Sequence, residues 1–440
     1  MATRNISRRE FLKVASIGIT GATLAACKAK ATPTPTQAPG EAEATKPPAA
    51  SKGGKVVIAV GGWAVEPTKL ILDKLGWADT GITPDIQTRP GTLDQLNTML
   101  TSAVASGTSP YDVLDFEDEA AATYSRAGFF LTLDDLLPPD FWDDFPDTMK
   151  SMADVWDKLN GKTFRIHHNY EACYSWYRKD WFDAKGIQPP KTWDEVANLG
   201  KVFTDEAKNV WATEDGMTKG GMMNVYLAYL TKQAGGNPFD VDDKFRTALE
   251  YFHKLIYDAK AFNPAALQKN YDQVNADYTE DKVAYFRQWP FFYDVARAKT
   301  DWFKEDKAVV IMPPVGPGGA PNSTYAAGWG FGIIKTSQNM DNAMTLFKFL
   351  IDKKNAGQMA MLNTWFLINR KSVLDIVGDK GMAKYLKMYS DAGVIGTRPF
   401  HPKFVEALAV LEDAASAYLT NQIGLDQAMK QAQDGMKNVK

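Results

Sequence analysis

The run Lys55-Val-Val-Ile-Ala-Val60 ends at Gly61-Gly62, and a short β-branched run closed by glycines is typical of a buried strand. Further along, Leu93–Ala105 places leucine and valine residues at helical spacing and stops at Ser106-Gly107. Tyr111–Asp115 then predicts the next strand. Short strands that alternate with amphipathic helices favour an α/β fold, in which helices cover both faces of a sheet.

The same helical pattern recurs along the rest of the chain. The 440-residue sequence is longer than a single hydrophobic core usually holds, so we expect two lobes. The further predicted helices are Trp193–Phe203 with Thr192 as its N-cap, Lys244–Asp258, Asn342–Leu350 and Phe404–Leu419.

The first residues have the parts of an export signal. Arg8-Arg9 precedes Phe-Leu-Lys, and the uncharged run Val14–Ala26 is too short to cross a bilayer, which needs about 20 apolar residues. The arginine pair resembles a twin-arginine signal, and Leu24-Ala-Ala-Cys27 resembles the lipobox of bacterial lipoproteins. The resemblance implies a signal peptide over 1–26 and lipid on Cys27.

A tether is predicted to follow. Residues 28–53 contain no valine, isoleucine, leucine or aromatic residue, so this segment cannot bury enough apolar surface to fold. The chain has two cysteines, and a lipidated Cys27 leaves Cys173 without a disulfide partner. We therefore expect residues 27–53 to tether the body to the outer face of the cell membrane.

Charge and motif content exclude several classes of function. The net charge is −3 and no long basic run occurs, so a nucleic-acid partner is not expected. His167-His168 is the only histidine pair, and adjacent residues on a strand point to opposite faces. We expect neither a metal site nor a cofactor.

Short segments in a fixed order over residues 54–440 carry a family resemblance. The sharpest of them is Gly186-Ile-Gln-Pro-Pro-Lys-Thr-Trp-Asp-Glu195. The others are Gly107-Thr-Ser-Pro-Tyr-Asp-Val-Leu114, Gly128-Phe-Phe-Leu-Thr-Leu-Asp134, Asn160-Gly-Lys-Thr-Phe164, Tyr174-Ser-Trp-Tyr-Arg-Lys-Asp180, Met312-Pro-Pro-Val-Gly316, Gly328-Trp-Gly-Phe-Gly332 and Asn369-Arg-Lys-Ser-Val373. These segments resemble landmarks of the bacterial extracellular solute-binding proteins, family 1, the maltose-binding-like receptors of ABC importers.

The sequence departs from the family pattern at two places. Tyr177-Arg178 stands where the family has tyrosine and asparagine, and Asp281 stands where a glycine is customary. We expect both positions near the ligand cleft or the strand that leads to it.

The resemblance implies a two-lobed periplasmic-binding-protein fold, type II-like, whose lobes are joined by crossing strands and close on a ligand between them. The crossings are expected near His167-His168, Met312-Pro313 and Leu367-Ile368. The predicted N-terminal lobe contains 54–167 and 313–367, and the predicted C-terminal lobe contains 168–312 and 368–440.

The cleft residues are predicted from the chemistry of a sugar. A pyranose ring has apolar C–H faces and a belt of hydroxyls, so its receptor needs flat aromatic surfaces and polar groups. Twelve tryptophans occur, and several fall at strand ends rather than on helix faces, as Trp63 does after the first strand. The family resemblance favours the cleft for four of them. These are Trp63, Trp289, Trp329 and Trp365, whereas Trp156, Trp181, Trp193 and Trp211 are assigned to the core.

Three polar side chains complete the predicted site. Glu117 lies just beyond the Tyr111–Asp115 strand, Glu171 lies on the crossing into the second lobe, and Arg287 neighbours Trp289. Arg398, Asp118, Asn169 and Tyr170 are further candidates near these positions.

The predicted function is therefore a lipid-anchored, monomeric receptor that binds a sugar or oligosaccharide without chemistry and delivers it to an ABC permease. A lipid-anchored glycoside hydrolase is the alternative, with its two carboxylates drawn from Asp115, Glu117 and Glu171. A receptor of the same fold for a glycerol phosphodiester or a polyamine is the other alternative.

Overall fold

The computed structural model describes residues 53–91, 93–304, 307–317 and 324–439. The predicted signal peptide, Cys27 and nearly all of the predicted tether lie outside these ranges. The strands are β1 (Lys55–Val60), β2 (Thr83–Thr88), β3 (Val113–Glu117), β4 (Lys158–Leu159), β5 (Lys162–Thr163), β6 (Ile166–His167), β7 (Glu171–Ala172), β8 (Tyr174–Arg178), β9 (Trp211–Glu214), β10 (Val283–Gln288), β11 (Ala308–Ile311), β12 (Thr324–Ala327), β13 (Trp329–Ile333) and β14 (Ile395–Thr397).

The α-helices of the described ranges alternate with these strands. None of them is long and apolar enough to cross a bilayer. They are α1 (Val65–Lys74), α2 (Leu93–Ser106), α3 (Asp118–Arg126), α4 (Asp147–Trp156), α5 (Lys179–Lys185), α6 (Trp193–Asn198), α7 (Gly200–Phe203), α8 (Met222–Gln233), α9 (Asp243–Tyr257), α10 (Tyr271–Thr279), α11 (Phe291–Lys299), α12 (Asp301–Lys304), α13 (Met340–Ile351), α14 (Lys353–Leu362), α15 (Lys371–Val377), α16 (Ala383–Asp391), α17 (Phe404–Leu419) and α18 (Leu425–Asn438).

The first strand forms part of a five-stranded sheet with the order β2-β1-β3-β13-β6. β1 pairs in parallel with β2 and β3, whereas β13 pairs antiparallel with β3 and β6. Val56, Ile58 and Val60 pack into the main hydrophobic core, and Ala59 packs into a second cluster with Leu96 of α2. The sheet is therefore buried on both faces, which explains the nearly continuous apolar run of β1.

Most of the predicted elements are confirmed, with shifted ends. β3 begins two residues later than predicted and extends to Glu117. The helix predicted over Trp193–Phe203 is divided between α6 and α7. The Thr192 hydroxyl accepts a hydrogen bond from the Glu195 N–H at 3.2 Å, as an N-cap does.

The described ranges also contain a four-stranded sheet with the order β11-β8-β10-β9, a three-stranded sheet with the order β14-β12-β7 and a two-stranded sheet of β4 and β5. In the three-stranded sheet, β12 pairs with β7 and β14. β12 belongs to the predicted N-terminal lobe and its two partners to the predicted C-terminal lobe. The exact lobe boundaries stay a prediction.

The two departures from the family pattern contact each other. Arg178, at the end of β8, forms an ion pair with Asp281, just before β10. The Arg178 guanidinium also lies over the rings of Trp181 and Trp302, 4.7 and 4.3 Å from their centroids. Neither Arg178 nor Asp281 lines the cleft described below, and their ion pair joins the end of β8 to the segment that leads into β10.

Candidate ligand-binding cleft

Six of the seven predicted binding residues line a single cavity of about 620 Å³. Trp63 follows β1, Glu117 ends β3, and Trp289 follows β10 of the other sheet. The carboxyl ends of strands from two sheets therefore border the same cavity, as is common for ligand sites in α/β folds. The six residues are Trp63, Glu117, Glu171, Trp289, Trp329 and Trp365.

Three of these tryptophans form a contiguous aromatic wall. The ring centroids of Trp63 and Trp329 lie 5.3 Å apart, those of Trp329 and Trp365 5.4 Å, and those of Trp63 and Trp365 6.2 Å. The Trp63 ring stands nearly perpendicular to both partners. Edge-to-face packing of this kind stabilises the rings and leaves ring surface available for a ligand.

The glycines beside Trp329 permit close approach of the backbone. A Cβ on Gly328 would lie 2.3 Å from Cδ2 of His167, and a Cβ on Gly330 would lie 2.7 Å from the Ile166 carbonyl. The Trp329 N–H donates a hydrogen bond to Asn169 Oδ1 at 2.7 Å. These contacts fix the backbone that presents the Trp329 ring to the cavity.

A buried charged network lies directly behind this segment. Arg165 donates to Asp118 at 2.5 Å and to Asp157 at 2.7 Å. His167 contacts the same two carboxylates, at 2.8 Å for Asp118 and 2.5 Å for Asp157. Asp118 also accepts the Gly328 N–H at 2.9 Å. The network therefore connects the start of α3 to the β12–β13 junction.

Burial and charge act in opposite directions on the pKa values of this network. Burial alone would raise the pKa of Asp118, but the positive charges of His167 and Arg165 hold it well below its usual range. Burial alone would lower the pKa of His167, but the negative charges of Asp157 and Asp118 outweigh it and raise that pKa. Opposite charges within the network therefore outweigh the effect of burial on Asp118 and on His167.

Glu117 and Glu171 lie on either side of Gly328. Glu117 pairs with Trp329 across β3 and β13, and Glu171 pairs with Ala327 across β7 and β12. Burial raises the pKa of Glu171 to about 8, and the negative charges of Glu117 and Asp115 add to the shift. The site therefore contains a carboxyl group whose charged form is destabilised in the absence of a positive partner.

Arg287 is the predicted site residue that the structure places elsewhere. Its side chain is buried at the four-stranded sheet, where the guanidinium donates a hydrogen bond to the Asp215 carboxylate at 2.7 Å. The guanidinium lies over the ring of Tyr229, 4.7 Å from the centroid. Since β10 continues to Gln288, Arg287 lies inside the strand, whereas Trp289 lies beyond it and reaches the cavity.

Two cationic side chains line the cavity. Arg398, a further candidate from the sequence, donates to the Tyr325 hydroxyl at 2.8 Å and pairs with Glu119 at 3.3 Å. Arg89 was not predicted, and its guanidinium lies 5.0 Å from the centroid of the Trp329 ring. Because Arg89 directly follows β2, the strand-end argument that identified Trp63 could have found it.

Other lining residues give no signal in the sequence. Glu119 lies in the first turn of α3, and Asn270 caps α10 by the reciprocal side-chain bonds of a capping box. Burial raises the pKa of Glu119 to about 8, with Glu117 adding to the shift and Arg398 opposing it. The remaining unpredicted residues of the cavity include Pro67, Tyr271, Asp272, Asp294 and Asn363.

Comparison with solved structures defines the class of protein. MalE3 of T. maritima with bound maltose has a TM-score of 0.75 and 21% identity, with 88% of this chain and 100% of that chain covered. An Agrobacterium radiobacter K84 solute-binding protein in complex with ribitol has a TM-score of 0.73 and 20% identity, covering 88% and 99%. The GacH receptor of Streptomyces glaucescens, solved unliganded and with acarbose, has a TM-score of 0.73 and 16% identity, covering 88% and 99%. The fold is that of the two-lobed substrate-binding proteins of MalE type.

The sequence comparison then gives the family. The model of the bacterial extracellular solute-binding proteins matches residues 66–357, and the chain belongs to that family. A Deinococcus radiodurans protein named "Probable ABC transporter-binding protein" is 26% identical over 217 residues. That match covers 46% of this chain, and the chain spans about half the length of this curated relative.

Proposed function

We propose that this protein is the extracytoplasmic receptor of an ABC importer and that its ligand is a sugar or oligosaccharide. The observation that carries the proposal is the composition of the cavity. Trp63, Trp329 and Trp365 supply adjoining ring faces, while carboxyl and guanidinium groups line the same space. Ring faces suit the C–H surfaces of a pyranose, and the charged groups suit its hydroxyls.

The proposed mechanism is closure without chemistry. Trp329 begins β13 of the five-stranded sheet, and Trp63 lies just after β1 of the same sheet. Trp289 lies just after β10 of the four-stranded sheet. A ligand that contacts residues of both sheets binds the closed form better and shifts the population toward it. The membrane subunits of the importer would recognise that form.

The geometry restricts the competing hydrolase to one pair of its three candidate carboxylates. Of the three carboxylates considered for it, Asp115 is fully buried and its Oδ1 lies 2.9 Å from Nε2 of His168. Only Glu117 and Glu171 line the cavity. The buried histidine contact gives Asp115 a structural role and removes it from the set of carboxylates that could flank a scissile bond.

A ligand screen by differential scanning fluorimetry tests the proposal. The full chain is heated with neutral mono- and oligosaccharides, and we expect a raised melting temperature with at least one of them and no released product. Product release would favour the hydrolase. Stabilisation by a polyamine or a glycerol phosphodiester alone would favour the non-sugar receptor.

We also propose that Cys27 carries lipid and that residues 27–53 tether a monomeric body beside its permease, which raises its effective concentration there. Replacement Cys27→Ser should move the protein from the membrane fraction to the soluble exported fraction. Replacement of Arg8 and Arg9 by lysine should block export if the twin-arginine route is used, and normal export would indicate the general secretory route.

A further inference from the structure

The acidic groups of the cleft outnumber its cationic groups, and each of the two cations already contacts other groups of the protein, while Arg398 Nη1 and Arg89 Nε donate to no described residue. Arg398 is paired with Glu119 and with the Tyr325 hydroxyl. Arg89 lies over the Trp329 ring and donates to the Pro90 carbonyl at 3.2 Å. Neither cation forms an ion pair with Glu117 or Glu171 in the described part of the chain.

Glu171 is the most unusual of these acidic groups. The residue is only 8% exposed, it lines the cavity, and no described residue donates a hydrogen bond to its carboxyl group. The negative charges of Glu117, Asp115 and Asp118 raise the pKa of Glu171 further. The positive charge of Arg398 opposes them. A buried carboxylate normally has a cationic or hydrogen-bonded partner, so a partner from the ligand is expected.

Another part of the cavity lining disfavours an anionic ligand. The N-terminus of α8 provides backbone N–H groups at Gly220, Gly221 and Asn224, and such a terminus commonly binds an anion. Here Glu412 accepts all three, at 2.6, 3.0 and 3.0 Å. Since Gly220 and Gly221 line the cavity, a phosphate or carboxylate of a ligand would have to displace a buried side chain of this protein.

We propose that the ligand is a saccharide that carries a protonated amine, and that its ammonium group binds against Glu171 and Glu117. This inference rests on the proposed function, since the aromatic wall is taken to bind the sugar ring. An ammonium group donates three hydrogen bonds and would supply Glu171 and Glu117 with a cationic partner. The raised pKa of Glu171 supports the proposal, because a cation at this position would stabilise the ionised form and release a proton.

Matched sugars separate the amine from the ring. Glucosamine and its β-1,4-linked dimer are compared with glucose and cellobiose, in which a hydroxyl replaces each amine. They are also compared with their N-acetylated forms, in which an uncharged amide replaces each amine. Binding to the full chain is measured by calorimetry at neutral pH. We expect at least one amine form to bind about tenfold or more tighter than its hydroxyl and N-acetyl counterparts.

Replacement Glu171→Gln tests the named position. It should weaken binding of the amine form about tenfold more than binding of the hydroxyl form, because only the amine form loses an opposite charge. The matched control is Glu206→Gln, which should change neither affinity. Glu206 is exposed, is paired with Lys260 and does not line the cavity. Calorimetry in two buffers of different ionisation enthalpy should show proton release with the amine form, and Glu171→Gln should abolish it.

The outcomes distinguish this inference from the function it rests on. If neutral saccharides bind and the amine forms bind no better, or if Glu171→Gln weakens both forms equally, the inference is wrong and the sugar receptor stands. If a polyamine such as spermidine binds and no saccharide does, or if nothing binds, the proposed function is wrong and the inference fails with it.

Discussion

Trp63 stands edge-on against Trp329, with the two ring planes at 80° and their centroids 5.3 Å apart, yet the two residues differ sharply in exposure. Trp63 is 60% exposed, whereas Trp329 is 8% exposed. Both rings line the same cavity, but only Trp329 contributes to the core of the fold. Truncation of the two side chains should therefore have different effects on binding and on stability.

Trp63→Ala should weaken binding of the best ligand from the saccharide screen by about 2 kcal/mol, or roughly 30-fold, as loss of a central aromatic contact does. The free energy of unfolding should fall by less than about 1.5 kcal/mol, because an exposed ring loses its edge contacts with Trp329 and Trp365 and its contact with the Arg89 guanidinium. Calorimetry and urea unfolding measure the two quantities. Trp181→Ala, a half-buried tryptophan outside the cavity, is the control for binding. Unchanged affinity in Trp63→Ala would remove the aromatic wall from the site.

Trp329→Ala should lower the free energy of unfolding by about 3–5 kcal/mol, since it leaves a cavity in the core. Binding loss in this variant would then be uninformative about ligand contact. Trp329→Phe keeps a ring at this position and should retain most of the stability, so its affinity reports on the contact. An alanine variant as stable as the parent in urea would show that Trp329 has no role in the core.

Asp118→Asn should destabilise the protein by about 3–5 kcal/mol, because it leaves Arg165 and His167 with one carboxylate in a buried site. Asp147→Asn removes the same charge from an exposed pair with Lys150, and there the loss should not exceed about 1 kcal/mol. Urea unfolding of both variants measures the difference. Equal, small losses would mean that the network contributes no more than a surface ion pair.

The strand-end argument explains why most of the cleft could be predicted from the sequence. Trp63 and Trp289 follow apolar runs that form β1 and β10 in two different sheets, and the carboxyl ends of such strands commonly border the ligand site of an α/β fold. The same argument fails for Arg287, because the sequence did not show that β10 continues to Gln288. The end of β10 at Gln288 thus separates Arg287, which is buried within the sheet, from Trp289, which reaches the cavity.

Contacts between distant segments could not be predicted in this way. Arg398 pairs with Glu119 across 279 positions of the sequence, and Glu412 closes the N-terminus of α8 from a helix 192 positions away from Gly220. The ion pair between Arg178 and Asp281 was visible only as two separate departures from a family pattern. Such pairs depend on how strands and helices pack, which local periodicity does not specify.

Glu171 should make the stability of the empty protein depend on pH. Its pKa rises from an ordinary value of 4.5 to about 8 on folding, so between these values the folded state binds more protons than the unfolded state. The free energy of unfolding should therefore fall as pH rises through this window, by up to about 1.4 kcal/mol per pH unit for each proton. Glu171→Gln removes the titration, so its stability relative to the parent should increase from the acidic to the alkaline end of the window. Urea unfolding across this range measures the difference, and a constant difference would show that the carboxyl group of Glu171 titrates normally in the folded protein.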